Sequence, residues 1–140
     1  MIFNYSHITT LRVRYSETDR MGFCYHGNYA SFFEMGRVEA LRSLGVVYKD
    51  LEDQGILLPV TALEIQYKIP AKYDDLLSLN TTLVNASACT LLFEYALFNQ
   101  AEELLTTGKS TLVFVNSASS KPIRIPSFII SRLMPYEIKE

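Results

Sequence analysis

Asn28-Tyr29-Ala30-Ser31-Phe32-Phe33-Glu34-Met35-Gly36-Arg37-Val38-Glu39-Ala40-Leu41-Arg42-Ser43-Leu44-Gly45 is the stretch that decides the fold. Phe33, Gly36, Ala40, Leu41 and Leu44 recur at three- and four-residue steps, as on one face of a helix. Glu34, Glu39 and Arg42 fall largely elsewhere on the wheel. Asn28 suits an N-cap and Gly45 a helix stop. Gly36 in mid-helix costs roughly 1 kcal/mol against alanine, which is tolerable where a helix must lie very close to a sheet.

On either side the period changes to two. Upstream, Leu11-Arg12-Val13-Arg14-Tyr15 alternates apolar and polar side chains, a strand with one buried face. Downstream, residues 46–57 read as a mixed connector. After Pro59, Thr61, Leu63, Ile65 and Tyr67 alternate with Ala62, Glu64 and Gln66. Pro70 to Asp75 reads as a turn. Leu77, Leu79, Thr81 and Leu83 form the next alternating run, then Leu91, Phe93, Tyr95 and Leu97. A polar connection at 99–103 leads to a last strand from about Leu104 to Val115, with Gly108 inside it as a bulge or close-approach point. Ser127 to Leu133 reads as a short terminal helix. Short links favour antiparallel neighbours, and a single apolar helix has to be buried against the single sheet. The expected fold is α+β: a five-stranded antiparallel sheet wrapped around one long central helix. Such a sheet leaves edges uncovered, and pairing with a second copy protects them, so a symmetric homodimer is expected.

Bulk properties narrow the function. At 140 residues the chain is one domain's worth, taken as 1–140. Apolar residues make up 49% and charged residues 20%, enough for an ordinary core. A net charge of −2 with scattered lysines and arginines is not the footprint of a nucleic-acid binder. No segment approaches the ~20 apolar residues that cross a bilayer, and the N-terminus carries no signal-peptide pattern. Cys24 and Cys89 lie far apart without metal-ligand spacing, so no metal is expected and the reducing cytoplasm is the simplest compartment.

The chemistry concentrates in Thr18-Asp19-Arg20-Met21-Gly22-Phe23-Cys24-Tyr25-His26-Gly27-Asn28-Tyr29, where strand gives way to helix. A carboxylate there can act as base or nucleophile, while the helix start offers unpaired N–H groups to a developing negative charge. Asp19 is the candidate carboxylate; the competing role is that of a turn or cap residue. His26 is a candidate through its amide more than its ring. Tyr25 and Asn28 shape the site by ring packing and capping, beside the small Gly22. Glu34 is near enough in sequence to face the pocket one turn into the helix, and a solvated helix glutamate is the equal alternative.

Tyr15-x-x-Thr18-Asp19-x-x-Gly22-x-x-Tyr25-His26-x-Asn28-Tyr29, followed by Phe33-Glu34-x-x-Arg37-x-x-x-Leu41, resembles the 4-hydroxybenzoyl-CoA thioesterase family of hotdog-fold proteins, in its branch of small bacterial acyl-CoA thioesterases. Tyr67-x-x-Pro70-Ala71-x-Tyr73-Asp74-Asp75 and Lys121-Pro122-x-x-x-Pro126 also match. The resemblance implies a hotdog fold and hydrolysis of acyl-CoA thioesters without metal or other cofactor. It places the active-site aspartate on Asp19 and the carbonyl-polarising N–H on His26. It also implies dimers or tetramers with sites at the subunit interface. CoA carries phosphates, for which Lys68, Lys72, Lys121 and Arg124 are candidates. The alternatives are hydrolysis of acyl groups on acyl carrier protein, dehydration of hydroxyacyl thioesters, and a non-catalytic acyl-CoA binder.

Overall fold

The computed structural model describes residues 1–139. In chain order its elements are β1 (Ile2–Arg12), α1 (Asn28–Ser43), α2 (Tyr48–Asp53), β2 (Ile56–Leu57), β3 (Val60–Tyr67), β4 (Leu76–Ser87), β5 (Thr90–Phe98), β6 (Leu104–Val113), β7 (Val115–Asn116) and α3 (Ser127–Leu133). Five strands form one antiparallel sheet in the order β1-β4-β5-β6-β3, and β2 pairs with β7 separately.

The helix is enclosed because its side chains reach every strand of that sheet. Ser43 bonds the Tyr5 hydroxyl on β1. Gly36 lies against Leu79 and Thr81 of β4. Phe33 stacks on Tyr95 of β5, with centroids 4.3 Å apart and planes at 7°. The same Phe33 ring fills the space over Gly108 of β6 where a Cβ would sit. Tyr29 meets the Tyr67 ring at the end of β3, edge to face at 5.1 Å. Gly36 and Gly108 therefore answer the same need, since each removes a side chain where helix and sheet press together. Burying a ring such as Phe33 stabilises by about 1.5–3 kcal/mol.

Period-two patterns on β4 and β5 hold as read: Leu77, Leu79, Thr81 and Leu83, and Leu91, Phe93, Tyr95 and Leu97, are all buried. On β6 the register shifts opposite Leu97 and Phe98, so adjacent Leu105 and Thr106 are both buried.

Several expectations need correction. The central helix has 16 residues, an ordinary length rather than a long one. Asn28 is its first helical residue and Gly27 occupies the N-cap position. The first strand runs over Ile2–Arg12, not Leu11 to Tyr15; Tyr15–Glu17 is a short 3-10 turn. The connector 46–57 contains α2, anchored by the buried Leu51. Although consecutive in sequence, β3 and β4 are not neighbours, for β3 crosses to pair with β6 at the far edge. Apart from Ile65, every β3 residue is exposed. No helix among the described residues is long and apolar enough to cross a membrane.

Candidate active site

The loop between β1 and α1 is folded by its own backbone. Asp19 N–H donates to the Phe23 carbonyl at 2.8 Å, and Gly22 N–H donates to the Asp19 carbonyl at 3.1 Å. This tight reversal needs φ of +83° at Gly22, a conformation that glycine alone adopts readily. The loop is tied on both sides: Cys24 N–H donates to Ala71 at 2.8 Å and Tyr25 N–H to Glu17 at 2.8 Å. Asn28 closes it, its Nδ2 donating to the Glu17 carbonyl at 2.8 Å.

Asp19 is half-buried. Its Oδ1 accepts N–H groups from Met21 at 2.9 Å and Phe23 at 3.3 Å. These bonds fix the carboxylate plane and leave Oδ2 without a donor among the described residues. Nearby, the backbone turns into α1. Asn28 N–H donates to Tyr25 at 3.0 Å and Tyr29 N–H to His26 at 3.4 Å. Among the described residues, the N–H groups of His26 and Gly27 have no acceptor. Free amides at a helix start carry the positive end of the helix dipole and are suited to an anionic oxygen.

Both features border one cleft of about 230 Å³, lined by Asp19, Met21, Phe23, Cys24, His26, Tyr29, Tyr67, Lys68, Ile69 and Pro70. Its wall is aromatic. Tyr67 lies edge to face with His26 at 6.3 Å and with Tyr29 at 5.1 Å. Burial pushes the Cys24 thiol up to about 11, helped by the nearby charges of Glu17 and Asp19 and opposed by a hydrogen bond with Asn28. It is therefore a neutral wall group, not a thiolate nucleophile. The Tyr29 phenol is likewise pushed up by burial, against the lowering effect of the Ala71 N–H, which donates to its oxygen at 3.2 Å.

A larger groove of about 420 Å³ crosses the outer sheet face between Glu64, Asn80, Glu94 and Lys109. The smaller Asp19 cleft, where a carboxylate meets a helix start, is the candidate site.

Residues 13–133 match the thioesterase-like superfamily. The chain belongs to that superfamily. It is 35% identical over 117 residues to the acyl-CoA thioesterase YbgC of Haemophilus influenzae, which covers 83% of this chain and 85% of the relative. It is 29% identical over 121 residues to the acyl-CoA thioester hydrolase YbgC of Escherichia coli O157:H7, covering 86% and 90% respectively. Among solved structures, the DHNA-CoA thioesterase from Staphylococcus aureus superposes with a TM-score of 0.84 at 38% identity, over 93% of this chain and 84% of that one.

Within this thioesterase-like chain, the residues singled out from sequence fall in different places. Asp19 and His26 meet at the cleft. Gly22 shapes the loop beneath it without lining it. Tyr25 is exposed, its ring 4.5 Å from the His26 ring; a Cβ at Gly27 would come within 2.6 Å of it. Asn28 braces the helix start from outside the cleft. Glu34 is elsewhere, in a separate cleft of about 220 Å³ with Arg37, Val38, Tyr48, Leu58, Pro59 and Val60. Of the four cationic candidates, Lys68 alone lines the Asp19 cleft. Sequence reasoning missed Tyr29 and Tyr67 as wall residues. Tyr67-x-x-Pro70 was the available signal, but inside a strand pattern it reads as packing.

Proposed function

We propose that this protein hydrolyses acyl-CoA thioesters to a free acid and CoA, without metal, as a member of the 4-hydroxybenzoyl-CoA thioesterase branch of its superfamily. The observation that carries the reading is a carboxylate with one free oxygen on the same aromatic cleft as His26, whose helix-start amide is unpaired among the described residues. A thioester carbonyl is electrophilic and a thiolate leaves readily, so a nucleophile and a seat for the oxyanion suffice. The Asp19 Oδ2 is the reacting oxygen by either route. It attacks the carbonyl carbon to give a mixed anhydride that water then cleaves, or it takes the proton of an attacking water. The His26 N–H receives the oxyanion. The carbonyl C–S bond breaks, the sulfur leaves as CoA, and the acyl carbon gains the oxygen of water. Lys68 at the cleft mouth suits the phosphates of CoA.

The reading includes a homodimer. Among the described residues the outer edge of β3 is unpaired, and all β3 residues but Ile65 are exposed. A two-fold axis through that edge pairs β3 with its copy antiparallel and keeps both helices on one side. The Asp19 cleft adjoins the Tyr67 end of β3 and the Glu34 cleft adjoins the Val60 end. Antiparallel pairing sets each end beside the opposite end of the copy, so Glu34 borders substrate bound to the partner protomer. One domain over 1–140 and a cytoplasmic location complete the reading, in keeping with two free cysteines.

The test is CoA release from a panel of aliphatic and aromatic acyl-CoAs by wild type and Asp19→Ala. Wild type is expected to turn over at least one class, and the variant to lose about 1000-fold in kcat or more. Equal rates sink the assignment. The same acyl group on acyl carrier protein separates the two carriers, and a rapid-quench single turnover that finds the acyl group covalently on Asp19 by mass marks the nucleophilic route.

A further inference from the structure

The Tyr67 hydroxyl donates to the His26 carbonyl oxygen at 3.0 Å, joining residues 41 apart in sequence. That carbonyl belongs to the His26–Gly27 peptide, whose N–H is the free amide of Gly27. Every peptide bond among the described residues is trans, so its C=O and N–H point in opposite directions within one plane. A bond to the carbonyl therefore sets the direction of the amide. The neighbouring Tyr25–His26 peptide is held in the same way, by Asn28 N–H donating to the Tyr25 carbonyl at 3.0 Å. Each of the two free amides is thus aimed by bonds at the other end of its own peptide, the His26 carbonyl also taking the Tyr29 N–H at 3.4 Å and the Tyr25 carbonyl the Cys24 thiol at 3.8 Å. Only for Gly27 does one of those bonds come from the sheet, through the Tyr67 hydroxyl.

We infer that Tyr67 is a positioning residue for thioester hydrolysis, orienting and polarising the His26–Gly27 peptide so that the Gly27 N–H acts beside the His26 N–H as a second oxyanion donor. The inference rests on the proposed hydrolysis. Its chemistry is that of coupled hydrogen bonds. A donor on a carbonyl draws electron density toward oxygen and makes the same peptide's N–H a stronger donor, by about 10–30% per bond. That added strength matters most when the acceptor carries the charge of the tetrahedral intermediate, and little when it is a neutral thioester. Burial raises the Tyr67 phenol above its ordinary range, with the nearby Cys24 adding to the rise, which keeps the hydroxyl protonated and able to donate. The Tyr67 ring is held independently, against His26 and Tyr29, so removing the hydroxyl leaves the wall standing. Because Tyr67 ends the free-edge strand β3, one oxyanion donor depends on a strand far from the loop that carries Asp19.

The experiment is Tyr67→Phe, with Tyr67→Leu as a second variant that also removes the ring. For Tyr67→Phe, kcat is expected to fall about tenfold with KM within twofold of wild type and the melting temperature nearly unchanged. Tyr67→Leu should show a similar kcat and a raised KM. The decisive readout is binding rather than turnover. A CoA trifluoromethyl ketone, which hydrates to an oxyanion mimic, should bind Tyr67→Phe about tenfold more weakly, while a CoA thioether with no oxygen to place should bind both proteins alike. Equal weakening of both probes, or kcat retained within twofold, overturns the inference. Wild type that cleaves no acyl-CoA overturns the hydrolase reading beneath it, a different outcome from an active wild type with an unimpaired variant.

Discussion

Asn28 reaches back across eleven residues to hold Glu17, its side-chain amide donating to the Glu17 backbone carbonyl at 2.8 Å. The first residue of α1 thereby ties the helix to the start of the loop that carries Asp19. Asn28→Ala is expected to lower stability by only about 1 kcal/mol, yet to cut kcat/KM by tenfold or more, because small displacements of a reacting group are costly. Asn28→Asp should be worse than alanine, since it sets an acceptor against an acceptor. Steady-state kinetics beside thermal melts of the three proteins check this; a proportional loss of activity and stability would contradict it.

The Cys24 thiol gives a pH signature. Its value in the folded protein lies near 11 against an ordinary 9.0, raised chiefly by burial. A group raised by folding contributes its stability fully below the ordinary value and loses it as pH climbs through the folded one. Wild-type stability in urea should therefore decline between about pH 9 and pH 11. Cys24→Ala should lack that part of the decline, keeping only what the raised phenols of Tyr29 and Tyr95 add at higher pH. At pH 8 the native protein should take up alkylating reagent at Cys89, which is partly accessible, and not at Cys24, which is buried; mass mapping reads this directly.

Gly36→Ala sets helix propensity against packing. Alanine gains about 1 kcal/mol as a helix former, but its methyl would collide with Thr81 Oγ1 and Leu79 Cδ2. Overpacking of a dense core typically costs about 1–3 kcal/mol, so net destabilisation is expected as a lowered urea midpoint. A more stable variant would show that the sheet gives way.

Thr81 should respond the opposite way. Its hydroxyl is fully buried and has no hydrogen-bond partner among the described residues. Thr81→Val keeps the shape and removes the orphan, so stability should rise by about 1 kcal/mol. An unchanged or lowered urea midpoint would mean that the hydroxyl is satisfied in solution.

If Glu34 serves the partner protomer, two damaged variants should repair each other. Co-refolding Asp19→Ala with Glu34→Ala in equal amounts makes half the dimers mixed, each with one intact site. Activity should recover to about a quarter of wild type. No recovery above the weighted mean of the parents would confine Glu34 to its own chain.

What could be read in the sequence tracks what one face of an element sees. The patterns from Leu77 to Leu97 were legible because those residues meet the helix on one side and solvent on the other. The strand Ile2–Arg12 was not, for His7 and Thr9 dilute its inward face while Ile2 and Ile8 sit on the exposed one. Helix α2 escaped notice because Leu51 is its single buried residue. Asp19 and His26 were legible as a local motif, whereas Tyr67 and the separate cleft of Glu34 follow from which end of β3 lies where. That is set by a crossover between distant segments, and no local spacing reports it.

The paired glycine contacts, Gly36 against β4 and Gly108 beneath Phe33, act as two bolts through a shaft. The helix can neither slide along its axis nor roll without driving a side chain into backbone. The His26 amide proposed to receive the oxyanion sits at the end of that locked shaft, so adaptation to substrates of different size has to come from the walls. Met21 and Phe23 on the loop, and Ile69 beyond β3, are the parts left free to be retuned.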